Sequence, residues 1–217
     1  MAKFLENVPP VTRNLLYINV LMFVATLVNK SFMTDTFAMA FPLSTEFHWW
    51  QPVTHMFMHD GIWHIFFNMY TLVIFGMVVE RVLGTRKFLW FYFITGFGAV
   101  ALHTLVEYIQ VQSLLQQYAG VEPQVIYNSI PGMLGASGAV YGVLVAFAML
   151  YPEARLTLIF PPITLDAKWW VIIFIGIELF TGITGTQMGI AHFAHLGGAL
   201  FGWLLIRYWR KKGELYR

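Results

Sequence analysis

PQVIYNSIPGMLGASGAVYGVLVAFAMLYP, residues 123–152, contains no Asp, Glu, Lys or Arg. A helix that spans a bilayer needs about 17 to 25 mostly apolar residues, so this run is too long for one simple span. Its second half, 137–151, predicts a helix. Its first half ends in Asn128-Ser129-Ile130-Pro131-Gly132-Met133-Leu134-Gly135-Ala136, and irregular backbone at that depth is tolerated only where it is buried in protein or lines a water-filled cavity. A spanning helix entered through buried irregular chain is therefore the first structural expectation.

Working outward, the stretches 14–29, 61–79, 88–106 and 179–206 also lack charge. Of the 217 residues 58% are hydrophobic, 18% aromatic and only 11% charged, against roughly 25% charged in soluble domains. The pattern predicts an all-α polytopic membrane protein with six spans, at 14–29, 62–81, 88–106, 137–151, 168–184 and 189–207. No connection is long or polar enough for a soluble second domain, so 1–217 reads as a single membrane domain. The first stretch lacks a small-residue cleavage site and reads as a retained helix.

Lys3, Arg13, Arg81, Arg86, Lys87, Arg155, Lys168, Arg207, Arg210, Lys211, Lys212 and Arg217 fall on one side of this topology, leaving only Lys30 across the membrane. Cytoplasmic flanks are enriched in Lys and Arg, so both termini are expected in the cytoplasm. The basic tail beside the last span fits a topology signal or anionic-lipid contact better than nucleic-acid binding. With no cysteine there is no disulfide, thiol nucleophile or thiolate metal site. The loop 30–61 carries Phe32, Met33, Phe37, Met39, Phe41, Trp49 and Trp50 among few charges, a composition suited to the membrane interface.

Counting along helices locates the polar residues in depth. A helix from Ser137 to Pro152 rises about 21 to 23 Å, short of the roughly 30 Å hydrocarbon core, which leaves Ser137 below the outer surface. From the cytoplasmic ends, His195 lies about 18 Å above Arg207, Asn68 about 20 Å and His64 about 25 Å above Arg81. Four polar side chains thus share one layer in the outer half.

Serine becomes a nucleophile when a neighbouring base takes its proton, and histidine is the usual base. Ser137 and His195 are of those types at compatible depth. Gly135, Ala136 and Gly138 leave the hydroxyl uncrowded, although a serine at a helix start can equally be an N-cap. Gly138 and Gly142 on the fourth span, and Gly198 and Gly202 on the sixth, form small-xxx-small faces that let two helices approach closely. Such packing does not explain a histidine held in hydrocarbon, where ionisable groups mark function. His64 and Asn68 share a helix face and offer two donors to a developing oxyanion, or an ordinary interhelical bond. His192, one turn from His195, reads as an interfacial histidine. Glu178, about 16 Å above Lys168, could orient a catalytic histidine, gate water, or hydrogen-bond another helix. His55, His59 and His64 lack a His-Glu-x-x-His pattern or a neighbouring intramembrane acid, so no metal and no cofactor are expected.

His59 with His64-x-x-x-Asn68, Glu80-Arg81 followed by Gly84, Gly135-Ala136-Ser137-Gly138, and Ala194-His195-Leu196-Gly197-Gly198 with Gly202 together resemble the rhomboid family of intramembrane serine proteases, over nearly the whole chain. The resemblance implies a six-helix serine endopeptidase with a Ser137 and His195 dyad acting through an acyl-enzyme. It implies an oxyanion held by His64, Asn68 and the Ser137 backbone N–H. Tyr141 matches a family tyrosine that packs on the catalytic histidine, and Gly135, Gly138 and His59 take supporting places. Trp50-Gln51 stands where many members have Trp-Arg. Loop 30–61 resembles the family's membrane-embedded loop, and the fifth helix with Gly185 to Gly189 its substrate gate and cap. The implied partners are transmembrane protein substrates and membrane lipids, and the implied location is a bacterial inner (plasma) membrane. A silent helix-binding protein and a small transporter or channel are the two rival readings. Covalent labelling by a serine-directed phosphonate, or flux insensitive to Ser137→Ala, separates them.

Overall fold

Helix α1, Pro10–Val28, opens on two prolines and begins the chain's path through the bilayer in the computed structural model, which describes residues 6–158, 162–184 and 190–215. Lys3, Arg217 and the Gly185 to Gly189 segment lie outside the described residues. The first turn of a helix has amides without partners. Here Val11 N and Thr12 N donate to the Glu80 carboxylate at 3.0 and 2.7 Å, and the Thr12 hydroxyl adds a 2.7 Å bond. The carboxylate meets the positive end of the helix dipole and is almost wholly buried. Arg81 donates to the Asn7 carbonyl beside it.

The loop that follows contains α2, Lys30–Phe37, and α3, Gln51–Thr54, which runs into a 3₁₀ turn over His55–Phe57. Gln51, fully buried, ties this loop together: its Oε1 accepts from Ala40 N and His48 N, and its Nε2 donates to the Glu46 carbonyl. Both bonds to the Gln51 carbonyl oxygen and one from its Nε2 are thus made within its own loop. Paired bonds between Met39 and Met133, at 2.8 and 2.9 Å, pin the loop to the irregular chain that leads to Ser137.

The next apolar helix runs 62–83 as α4, Ile62–Thr71, a π-helical turn Leu72–Gly76, and α5, Met77–Leu83. Gly84, at φ 76°, takes the left-handed conformation and turns the chain into α6, Thr85–Gln117. The expected third span, 88–106, is thus only part of a 33-residue helix. Between Gly98 and Gly120 there is neither Gly nor Pro, and nothing in the Gln-rich stretch breaks the helix. The expected connection 107–136 is accordingly shorter and contains another helix, α7, Pro123–Ser129.

Helix α8, Ser137–Leu150, sits at the centre, with nine of its fourteen residues buried. A short hairpin follows, β1 Arg155–Thr157 against β2 Thr164–Asp166, antiparallel with Leu156 opposite Leu165. It leads into α9, Ala167–Thr184, whose Trp170 Nε1 donates back to the Leu156 carbonyl. Helix α10, Ile190–Lys211, closes the bundle and continues one turn past the expected end at 207. The protein is mostly helical, and among the described residues four stretches are long and apolar enough to cross a membrane: Pro10–Val28, Ile62–Leu83, Thr85–Gln117 and Ala167–Thr184. Ser137–Leu150 is a shorter apolar helix. Large apolar side chains such as Leu21, Leu27, Phe180 and Ile183 face outward, as they do on helices solvated by lipid. The protein is an integral membrane protein.

The central packing is made by glycine. A Cβ on Gly198 would lie 1.8 Å from the Gly138 carbonyl oxygen, one on Gly202 2.8 Å from the Gly142 Cα, and one on Gly197 2.4 Å from the Gly98 carbonyl oxygen. Backbones touch along α8, α10 and α6 with no room for a side chain, as small-residue membrane seams require.

Candidate active site

The glycine seam brings the first turn of α8 against α10, and with it Ser137 against His195. His195 Nε2 and Ser137 Oγ are 2.7 Å apart. An imidazole nitrogen at that distance can take the hydroxyl proton. The Tyr141 ring, one turn along α8, stacks on the imidazole with centroids 4.4 Å apart and planes 6° from parallel.

The chain arrives at Ser137 through Gly135, whose amide donates to the His55 carbonyl at 2.9 Å. Gly135 has φ 130°, a conformation open to glycine and strained for other residues. A Cβ there would also lie 2.9 Å from His64 Nε2 and 3.6 Å from Ser137 Oγ. The missing side chain is what allows the His64 ring to sit beside the serine.

His64 is held on its other side by Asp60, Nδ1 to Oδ1 at 2.7 Å. Burial alone would raise the Asp60 carboxyl, but its bond to His64 and the charge there outweigh this and leave it below its ordinary range. His59 is buried, with its ring edge-on to His64 at 4.9 Å. Burial, reinforced by His64, pulls the His59 imidazole down to about 4, and burial does the same to His55. Asn68 is buried on the same helix, and its Nδ2 donates to the His64 carbonyl at 2.9 Å. An amide carries two N–H donors, so this bond uses one of them. A cavity of about 30 Å³, room for roughly one water, lies among His55, Gly96, Leu134, Gly135, Ser137 and His195.

Glu178 of α9, which depth counting placed only near mid-membrane, is part of this cluster. Its Oε1 lies 2.9 Å from His195 Nδ1, off the axis of the ring N–H, so the contact is ionic in range but not a straight hydrogen bond. The Tyr141 hydroxyl donates to Oε1, and His192 Nδ1 meets Oε2. His192, expected at the interface, is thus joined to the same carboxylate. Glu178, His192 and His195 each present one donor atom within 4.8 Å of the others, a set that could hold a metal ion. Each of these groups is also within contact of another member of the cluster.

Two of these groups carried a sequence signal that fell short. Asp60 stands four residues before His64, the spacing of helical neighbours. Glu178 lies in the middle of an expected span, whereas Glu80 stands at the end of one.

A family model described as Rhomboid domain matches residues 46–212. The chain is 28% identical over 167 residues to the Rhomboid protease AarA of Providencia stuartii, a match covering 76% of this chain and 57% of that protein. It is 31% identical over 167 residues to the Presenilin-associated rhomboid-like protein, mitochondrial, of Bos taurus, covering 74% and 40%. With the RHOMBOID-like protein 6, mitochondrial, of Arabidopsis thaliana it shares 30% over 156 residues, covering 72% and 42%. The chain therefore spans about half or less of the length of these relatives.

Proposed function

The chain belongs to the rhomboid family, and from that premise we propose that it is an intramembrane serine endopeptidase with Ser137 as nucleophile and His195 as its base. The observation that carries the reading is the 2.7 Å contact between Ser137 Oγ and His195 Nε2 where α8 and α10 meet. Family membership supports proteolysis within the membrane, and the polar cluster supplies the groups that such chemistry needs.

In this mechanism a segment of a transmembrane substrate unwinds and presents an extended peptide to Ser137. The serine oxygen attacks the carbonyl carbon while its proton passes to His195 Nε2. The resulting oxyanion is held by the backbone N–H of Ser137 and by His64 and Asn68, aimed where charge develops. Collapse breaks the C–N bond, and His195 returns the proton to the leaving amine. Water, deprotonated by the same imidazole, then hydrolyses the acyl-enzyme. No cofactor takes part.

The reading includes six spans, the four long apolar stretches together with α8 and α10, and both termini in the cytoplasm of a bacterium. Gly135, Gly138 and His59 support the site by admitting and backing the His64 ring and the α10 backbone. Purified in detergent with a single-pass membrane protein as substrate, the wild-type chain is expected to cleave it and to be labelled by a serine-directed phosphonate. Ser137→Ala should abolish both. Full cleavage by Ser137→Ala would end the proposal.

A further inference from the structure

We infer that Glu178 is a positioning residue of the same site, a carboxylate delivered by α9 that sets the tautomer and orientation of His195. The inference rests on the protease reading and turns the pair into a Ser–His–Glu arrangement built from three helices.

A carboxylate within a spanning helix is costly unless it is compensated by partners. Tying α9 to its neighbours would need only the Tyr141 hydroxyl and the His192 ring, and both contacts are made. The third contact has no part in such a tie. It places Oε1 2.9 Å from Nδ1 of the imidazole whose Nε2 faces Ser137. A neutral imidazole has one ring proton, and a carboxylate at Nδ1 draws it there. The lone pair then lies on Nε2, where a base must have it. Contacts of this kind are often out of line before substrate binds and straighten in the complex.

Tyr141 touches both members of the Glu178 and His195 pair. Its ring stacks on the His195 imidazole while its hydroxyl holds Oε1. When the serine proton reaches Nε2, the imidazolium carries its new charge beside the Glu178 carboxylate. The Nδ1 proton stays where it is. The attraction is largest in the charged transition state, so it acts on kcat more than on substrate binding. Helix α9 is also the least buried of the four candidate spans. Any outward movement of α9 would withdraw Glu178 from His195, making the alignment of the base depend on the seating of that helix.

The test compares Glu178→Gln, Glu178→Asp and Ser137→Ala with the wild-type full chain in detergent, using one transmembrane substrate. Glu178→Gln is expected to lower kcat about 10²-fold or more with KM little changed. Glu178→Asp is expected to restore part of the loss. In the phosphonate-labelled complex the wild type is expected to show a far-downfield Nδ1–H proton resonance of ring-labelled His195, and Glu178→Gln to lack it. A folded Glu178→Gln with kcat within about threefold of wild type and the resonance intact would overturn the inference. Should Glu178→Gln fail to fold, Tyr141→Phe decides, since it keeps the stacked ring and removes only the hydroxyl that holds Glu178. It is expected to cost about tenfold in kcat, and an unchanged value would overturn the inference. Loss of cleavage in Ser137→Ala alongside a wild-type-like Glu178→Gln sinks only this inference. Cleavage by Ser137→Ala sinks the protease reading itself.

Discussion

Helix α10 is joined to its neighbours in two unlike ways. Toward α8 and α6 the join is steric: Gly198 faces the Gly138 carbonyl, Gly202 faces Gly142, and Gly197 faces Gly98, with no space for a methyl group. Toward α9 it is polar, made through Glu178 with His192 and His195, while a Cβ on Gly182 would meet His192 and Phe193 at 3.3 Å, a tight but not impossible approach. A join made by omitting atoms holds one distance and offers no intermediate position. A join made by hydrogen-bonding groups can be opened and remade. Ser137 meets His195 across the first kind, and Glu178 reaches the same histidine across the second.

The sharpest way to break this contrast is Gly198→Ala. Its methyl would fall on the backbone of α8, which cannot rotate out of the way as a side chain can. Cleavage is expected to be lost, and stability to fall by about 3 kcal/mol as read by unfolding in detergent. Wild-type activity in this variant would mean that the seam is not what sets the distance between Ser137 and His195.

Acid distinguishes the parts by their chemistry. His55 and His59 stay neutral in the folded protein down to about 4, whereas the unfolded chain protonates them below their ordinary value near 6.5. Between those limits the unfolded state binds more protons, so their contribution to stability falls as the pH drops through the window. The glycine contacts carry no titratable group. Limited proteolysis stepped from neutral pH to about 4 should therefore open loop 30–61 before the α8 to α10 contact gives way. Simultaneous loss of both would merge the two regions into one unit.

The smallest effect is expected at Gly176, on α9, where a Cβ would meet nothing within 4 Å. Gly176→Ala should leave cleavage unchanged and raise stability by about 0.5 to 1 kcal/mol through helix propensity. A loss comparable to that of Gly198→Ala would erase the distinction between the two sides of α10.

What could be read from the residues followed what their physics encodes in one dimension. Charge-free length revealed spanning segments, and Gly-x-x-x-Gly spacing pointed to the seam on which Gly198 meets Gly138. Rise per residue put Ser137, His195, His64 and Asn68 in one layer. Height along a helix says nothing of direction around it, however. Glu178 could therefore be placed at mid-membrane with the orienting of a catalytic histidine as one of three open roles, and its shared partners His192 and Tyr141 could not be joined to it. The continuation of α6 to Gln117 was hidden by its Gln-rich composition, which suits a loop but also tolerates a helix. The partners of Gln51 are mostly backbone groups of its own loop, Ala40 N, His48 N and the Glu46 carbonyl, and backbone positions are set by the fold alone.

The Glu80 cap has a consequence for the order in which the molecule is made. Thr12 receives its carboxylate from a residue synthesised 68 positions later. Helix α1 therefore leaves the ribosome without this cap, and lacks it until the second long apolar segment has been translated and threaded beside it. This helix is finished only by a later arrival, so this corner of the protein closes by a schedule that translation sets.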